Sequence, residues 1–464
     1  MDQIPILRPA GEYLSEDKTI ITGVNHEPIA EMSLAPPLLL QMIVNELKKA
    51  ATQPYAQRVA AISKAGEIFA EGIVQGETPE AFCLKQAKAT GVPISVVTRS
   101  LGEMKTYMNN ISKVVESQRP QGASRLLEGL DLESGSSAFW MPRGKTLTVI
   151  APSNHPMTHV SWIQALAFGL HVIIRPGSRD PFTPLRLIRS LLLAGLEPTQ
   201  LAYVPCSYAN AEKMINATDL SIIYGNEKTV ASYRNHPHVL VRGPGRSKIL
   251  VDVEEVTDEV IDVLAASVAA DGGVRCTNVS AIFVHNHFHE VAEALAEKLA
   301  KIPVFPSNHP KSQLPSVPAA EAKKIRQSLE ALMGDAQDLC CPYYPDGPVS
   351  YAEDGSAILR PSVILSNGHT SPGFGMELPF PCVWLSPWEE NDGIEPLKDS
   401  LCVTLLTENK HLVRQSLEDH TIRKVFWGRI PTWYSTPYIP HDGYVSEFLL
   451  ESKGFVKEGG GYFS

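Results

Sequence analysis

Hydrophobic positions follow two different periods along this chain. Over residues 37–115 they recur at spacings of three and four, as Leu39, Met42, Ile43 and Leu47 and then Val59, Ile62, Ala65 and Ile68. That period predicts amphipathic helices. From Lys145 to Arg242 short apolar runs alternate with helical stretches. Thr146–Ile150 reads as a buried strand, followed by a helical pattern through Val160, Ile163, Leu166, Ala167 and Leu170. Residues 172–174 form a second apolar run ending at Arg175-Pro176-Gly177-Ser178, and a helix is predicted over 184–193. Further strands are predicted at 201–204, Leu220–Tyr224 and 239–241.

Apolar strands alternating with amphipathic helices imply βαβ units and a parallel sheet covered on both faces. In such a sheet ligands collect at the carboxyl ends of strands, which directs attention to Asn154, to 175–178 and to Gly225-Asn226. A second α/β pattern begins near Ser247, with strands at 249–251 and 281–284 and helices at 256–270, 288–302 and Ala319–Met333. Residues 1–35 are expected to be irregular. Residues 117–136 are polar and rich in Gly and Ser, as a loop or extended arm would be. The Gly-, Tyr- and Pro-rich stretch from Thr432 reads as a terminal arm.

Composition narrows the class. Of 464 residues 44% are hydrophobic and 20% charged, which fits packed globular structure of more than one domain. The 41 basic and 51 acidic residues give a net charge of −10, scattered along the chain, so no nucleic-acid partner is expected. No apolar run is long enough to predict a membrane span. The opening Met1-Asp2-Gln3-Ile4-Pro5 has no basic region or apolar stretch of a secretory signal. Seven cysteines, odd in number and without a CxxC pair, suggest reduced thiols and a cytoplasmic setting.

One cysteine has a different context. Cys276 lies in Asp271-Gly272-Gly273-Val274-Arg275-Cys276-Thr277-Asn278, after a predicted helix and before an apolar strand. Small residues there would let a carbonyl approach the thiol, and Arg275 is a candidate to stabilise the reactive thiolate. The competing reading is a buried cysteine acting as a small hydrophobe, which suits Cys83, Cys206, Cys340, Cys341, Cys382 and Cys402. Asn154, in Pro152-Ser153-Asn154-His155-Pro156, can donate to an oxyanion; locally a helix cap is the commoner role for such a residue. His285, His287 and His289 fall at a strand-to-helix turn, where solvated polar residues are preferred to a metal cluster. Neither GxGxxG nor GxxxxGK[ST] occurs, and Pro244 removes a donor from Gly243-Pro244-Gly245-Arg246.

The order of these pieces resembles the aldehyde dehydrogenase superfamily from about residue 35 onward. Pro152-Ser153-Asn154-His155-Pro156 looks like its P-W-N-F-P segment, which carries an oxyanion-hole Asn. Ile174-Arg175-Pro176-Gly177-Ser178 looks like K-P-S-E, and Ile223-Tyr224-Gly225-Asn226 like F-T-G-S, both of which hold the cofactor. Gly273-Val274-Arg275-Cys276 resembles the G-Q-x-C nucleophile loop. Glu377-Leu378-Pro379-Phe380-Pro381 resembles E-x-F-G-P, whose Glu holds the nicotinamide ribose. Lys453-Gly454-Phe455 through Glu458-Gly459-Gly460 resembles a C-terminal glycine-rich segment. The resemblance implies Cys276 and Asn154 as catalytic residues. It implies Ser153, Arg175, Pro176, Gly177, Ser178, Gly225, Asn226 and Glu377 as the NAD(P) site, with no metal.

One departure carries the functional expectation. Where the family's E-L-G-G-K supplies the base that activates water, this chain reads Arg242-Gly243-Pro244-Gly245-Arg246, and the interval to the nucleophile, 276 − 242 = 34, is the usual one. A guanidinium stays protonated and cannot be that base. Such an enzyme is expected to exchange its acyl group with a thiol, as acyl-CoA reductases do. Ser178-Arg179-Asp180-Pro181-Phe182-Thr183 also resembles a segment of LuxC-type fatty acyl reductases. The expected reaction is NAD(P)H-dependent reduction of an acyl thioester, from CoA or an acyl carrier protein, to an aldehyde. Arg175 and Arg179 favour NADPH, because guanidinium matches a 2′-phosphate.

The alternatives are NAD(P)-dependent oxidation of an aldehyde to an acid, with Asp271 or Glu377 as the base, and a catalytically inactive member. Trp162, Trp427 and Trp433 are candidates either for an acyl tunnel or for core packing. The expected architecture is α/β. A Rossmann-like NAD(P)-binding domain spans 1–243, a catalytic domain 244–431, and an oligomerisation arm 432–464 together with 117–145. A homodimer or homotetramer is expected from that arm.

Overall fold

Alternate side chains of the strands between Thr146 and Tyr224 enter two separate cores. Leu147, Val149, Val172, Ile174, Leu201, Leu220 and Ile222 face one core with the helices Tyr55–Glu71 and Ile94–Asn109. Ile150, Ile173, Ala202 and Ile223 face the other, under the helices Pro37–Lys49 and Tyr208–Ala217. Because strand side chains alternate, covering both faces requires continuous apolar runs, and that is why these strands are legible in the sequence. A computed structural model describes residues 1–121, 123–124, 136–371 and 373–456.

The first sheet has seven strands. Five are parallel, in the spatial order Val239–Arg242, Leu220–Tyr224, Thr146–Ile150, His171–Arg175 and Leu201–Tyr203. The chain order reverses between Thr146–Ile150 and Leu220–Tyr224. That reversal opens a crevice at the carboxyl ends of the two strands, between Ser153-Asn154 and Gly225. The strands Ile6–Arg8 and Gly11–Tyr13 extend the sheet in antiparallel fashion.

The second seven-stranded sheet has Val279–Val284 and Ser247–Val251 at its centre, with Cys382–Pro387 and Val403–Leu406 parallel to them on either side. It too is buried on both faces, with Ile249, Val251, Ile282 and Val284 on one side and Leu250, Ala281 and Phe283 on the other. Residues 243–246 are all that separates the last strand of the first sheet from Ser247–Val251, so the two sheets meet at Gly243-Pro244-Gly245-Arg246.

The structure corrects the expectation for residues 1–35. Five strands lie there: Asp2–Ile4, Ile6–Arg8, Gly11–Tyr13, Lys18–Thr22 and Pro28–Ser33. Each has three to six residues, too few to display an alternation, and Pro5, Gly11 and Pro28 punctuate them as turn residues would. The helix Tyr208–Ala217 buries Ala211, Met214 and Ile215, and Glu227–Tyr233 buries no side chain; Ser207 and Asn226 cap them, accepting from the N–H groups of Asn210 and Thr229. The helical expectation over 37–115 resolves into five helices ending with Ile111–Glu116.

Of the segments expected to form an arm, Leu450–Val456 pairs antiparallel with Ser136–Pro142, from Leu450↔Pro142 to Val456↔Ser136. Ala123–Ser124 joins the same sheet. Residues 125–135 and 457–464, including Glu458-Gly459-Gly460, lie outside the described residues. Residues 433–445 instead turn back onto the junction of the two large sheets.

Candidate active site

A cleft of about 2200 Å³ runs along that junction. Its walls include Ser153 and Asn154 from the first sheet, Gly225 beside them, Cys276 and Glu377 from the second sheet, and His441 from the carboxyl-terminal loop.

The loop bearing Cys276 is built by close backbone approach. Asp271, Gly272 and Gly273 have φ of +55°, +75° and +73°, which reverses the chain after the helix Asp258–Ala269. A Cβ on Gly273 would lie 2.5 Å from the backbone nitrogen of Pro381. A Cβ on Gly245 would lie 1.9 Å from the carbonyl oxygen of Cys276. Two glycines therefore let three backbone segments meet at the thiol. Asn278 fastens the loop: its Oδ1 accepts from the Arg275 N–H at 2.8 Å, and its Nδ2 donates to the carbonyls of Ser267 and Ala270, both at 3.1 Å.

Asp271 anchors the loop to its neighbours. Its carboxylate is ion-paired with Arg275 and with Arg99 of the helix Ile94–Asn109. It also meets His155 Nε2 at 3.0 Å. His155 Nδ1 accepts from the Met157 N–H at 3.2 Å, so Nε2 carries the proton and donates to Asp271. Asp271, one of the two bases considered for water activation, is thus enclosed by three donors. Arg275, expected to steady the thiolate, is turned toward Asp271 and Glu103.

The thiol itself lies 3.4 Å from His441 Nε2. Burial, and then the Glu377 carboxylate, push the Cys276 thiol up to about 12; Arg242 and Arg275 oppose this. Packing of the ring in the cleft wall, and then the cations Arg242, Lys424 and Arg275, lower His441 below the ordinary imidazole range, although the residue as a whole is exposed. At neutral pH the resting pair is therefore a thiol beside a neutral imidazole. Burial also raises Glu377 to about 7, against the N–H groups of Arg246 and Gly245, which favour its anion.

Asn154 Nδ2 donates to the Val274 carbonyl at 3.0 Å, leaving its second N–H for a ligand. The backbone N–H of Cys276 has no partner among the described residues. Arg242, at the end of its strand, is half-buried at the cleft and ion-paired with Asp442. The sequence offered no signal for His441 or Asp442, which lie in the irregular stretch read as an arm.

On the expected cofactor side, Ser153, Gly225 and Glu377 line the cleft together with Arg179, whereas Arg175, Pro176, Gly177, Ser178 and Asn226 do not. A Cβ on Gly177 would lie 2.2 Å from Ser153 Oγ, so that glycine lets the two strand ends come together. Arg175 is buried, donates to the carbonyls of Cys206 and Pro176 at 3.3 and 3.2 Å, and stacks on Tyr208 at 4.5 Å. Arg179 reaches the cleft and is paired with Glu321. Asn226 caps the helix Glu227–Tyr233.

Of the three tryptophans, Trp433 lines the cleft, Trp162 is fully buried and Trp427 is exposed. His285 and His287 bond to the carbonyls of Trp388 and Glu254, both at 3.1 Å. Among the described residues no group of three His, Cys, Asp or Glu side chains is placed to hold a metal, and no helix is long and apolar enough to cross a membrane.

Two parallel sheets with a thiol and a carboxamide at their junction define an aldehyde-dehydrogenase-like α/β fold. The model of the aldehyde dehydrogenase family matches residues 17–378. The chain belongs to that family and is an oxidoreductase of the aldehyde dehydrogenase superfamily.

Solved structures agree on the fold. Aldehyde dehydrogenase 21 from Physcomitrella patens, in complex with the reaction product succinate, is 15% identical with a TM-score of 0.80, covering 98% of each chain. Gamma-glutamyl-gamma-aminobutyraldehyde dehydrogenase from Burkholderia cenocepacia is 15% identical with a TM-score of 0.81, over 98% of this chain and 96% of that one. An aldehyde dehydrogenase from Bacillus cereus, solved as its NAD+ complex, is 16% identical with a TM-score of 0.78, over 98% and 96%. No curated protein sequence matches.

Proposed function

We propose that the protein interconverts an aldehyde and its acyl thioester, carrying the acyl group on Cys276. The observation that carries this reading is Arg242, held by Asp442, in the place of the water-activating glutamate. Cys276 Sγ bonds to the carbonyl carbon, and the oxyanion accepts from the free N–H of Asn154 and the backbone N–H of Cys276. The guanidinium of Arg242 withdraws no proton from water, so the acyl group leaves to an incoming thiol, of CoA or of a carrier protein. In the opposite direction the acyl thioester loads Cys276 and its thiol departs.

NAD(P), which the Bacillus cereus relative binds as NAD+, supplies or removes the hydride when bound. The residues present suit a dinucleotide: Ser153 and Gly225 flank the crevice, and Glu377 is placed to accept from a ribose hydroxyl. With Arg175 turned inward, the cation available for a 2′-phosphate is Arg179, which would first have to leave Glu321. The paired segments Ser136–Pro142 and Leu450–Val456 support an oligomer built through their sheet.

A second reading is oxidation of an aldehyde to the free acid. The solved relatives, aldehyde dehydrogenases by name and one holding the product succinate, favour it over the thioester reading. Glu377 gives it a possible base, since a carboxyl raised to about 7 is matched to neutral pH. The two separate on acceptor dependence. Turnover of an aldehyde panel with NAD+ or NADP+ is expected to require added CoA; acid formation at full rate without any thiol establishes the second reading instead.

A further inference from the structure

We propose that His441 is the proton acceptor and donor for Cys276. The two atoms are 3.4 Å apart, and His441 reaches the thiol from a loop that also supplies Trp433, Pro440 and Asp442 to the cleft wall. The loop is tied down at the next residue, where Asp442 is ion-paired with Arg242 of the first sheet. His441 is thus held against the thiol by a contact between its own loop and the last strand of the first sheet.

The groups that face the pair set its resting state. Arg242, Arg275 and the buried Lys424 act on His441, and all three disfavour imidazolium. Burial, Glu377 and Cys402 disfavour thiolate at Cys276, and they outweigh Arg242 and Arg275, which favour it. A preformed thiolate–imidazolium pair is therefore absent at rest, and the proton moves during attack.

As the Sγ–C bond forms, the Sγ proton passes to His441 Nε2 and the carbonyl π pair becomes the oxyanion. As the tetrahedral adduct of a thioester collapses, the C–S bond to the donor breaks, and His441 returns the proton to the departing thiolate. Atoms and charge balance, and no oxidant or reductant is consumed. The step needs the tautomer with its proton on Nδ1.

This deepens the acyl-transfer reading and rests on it, yet its test needs no acyl donor. Iodoacetamide alkylation of Cys276 is followed by peptide mass mapping from about pH 6 to about pH 9. Proton transfer within the pair makes the rate nearly independent of pH across that range, because no free thiolate has to form first. In His441→Gln, free thiolate must react, so the rate is expected to rise about tenfold per pH unit and to be at least about tenfold slower at the acid end.

A wild-type rate that itself climbs about tenfold per pH unit overturns the proposal without any variant. So does a His441→Gln profile that coincides with wild type, or His441→Asn if the glutamine variant does not fold. Failure of the acyl reading shows elsewhere, as the absence of an acyl adduct on a thiol that still alkylates normally.

Discussion

Arg242 is ion-paired with Asp442, which joins the last strand of the first sheet to the loop that carries His441. The contact takes a position where the wider family keeps a base and makes it part of the cleft wall. If that substitution is what withholds water chemistry, restoring a carboxylate should restore it. The double variant Arg242→Glu with Asp442→Asn is expected to hydrolyse its acyl-enzyme at least about tenfold faster, since a positioned base contributes factors of that order or more. Free acid released per turnover measures it, and an unchanged acid yield sinks this part of the account.

Gly245 explains why the linker between the sheets reads Arg242-Gly243-Pro244-Gly245-Arg246. Gly245→Ala would drive a methyl into the Cys276 carbonyl, 1.9 Å from the added Cβ. The nucleophile loop must shift, and a shift of that size costs about 10²-fold in kcat/KM. Stability should fall by about 1–3 kcal/mol. Kinetics together with urea unfolding check both; an active, equally stable variant contradicts the close approach.

Glu377 ties stability to pH. Burial holds its folded-state value at about 7, above the ordinary 4.5. Its contribution is fully present below the unfolded value and is lost as pH rises toward about 7. The melting temperature of the protein should therefore fall more steeply between those two values than that of Glu377→Gln. Parallel curves would show that this carboxyl is not protonated in the folded state.

Asp271 gathers Arg99, Arg275 and His155, and its side chain is only 2% exposed. Asp271→Asn removes the buried carboxylate that Arg99 and Arg275 share and leaves them only the more exposed Glu103. Removing one partner of a buried ion pair costs about 3–5 kcal/mol, and denaturant unfolding should show a loss of that order. A loss under about 1 kcal/mol, as for an exposed pair, would mean that the cluster is solvated.

The parts of the fold that could be read in advance are those where local pattern and tertiary environment agree. Leu220–Tyr224 is apolar at Leu220, Ile222 and Ile223 on alternating faces because both faces of its sheet are covered. Residues 1–35 escaped because strands of three to six residues, punctuated by proline and glycine, have no room for a period.

Within the site, flanking small residues singled out Cys276, whereas Asn154 read locally as a helix cap and was singled out by the family motif; both line the cleft. His441 was singled out by neither. It lies 165 residues from Cys276 in a loop without periodicity, and only the fold brings the two side chains together. Arg175 is the converse case. Its position at a strand end suggested a ligand, but the guanidinium finds carbonyl partners and Tyr208 inside the protein.

The central claim is that an acyl group on Cys276 is stable to water and yields to a thiol or to reduction. Single-turnover mass spectrometry of the protein with a panel of acyl-CoAs, with Cys276→Ala as control, tests it most directly. An acyl mass gain on Cys276 is expected that persists in buffer and is discharged as aldehyde when NADPH or NADH is added. Rapid loss of that adduct as free acid, before any reduced cofactor is present, would contradict it.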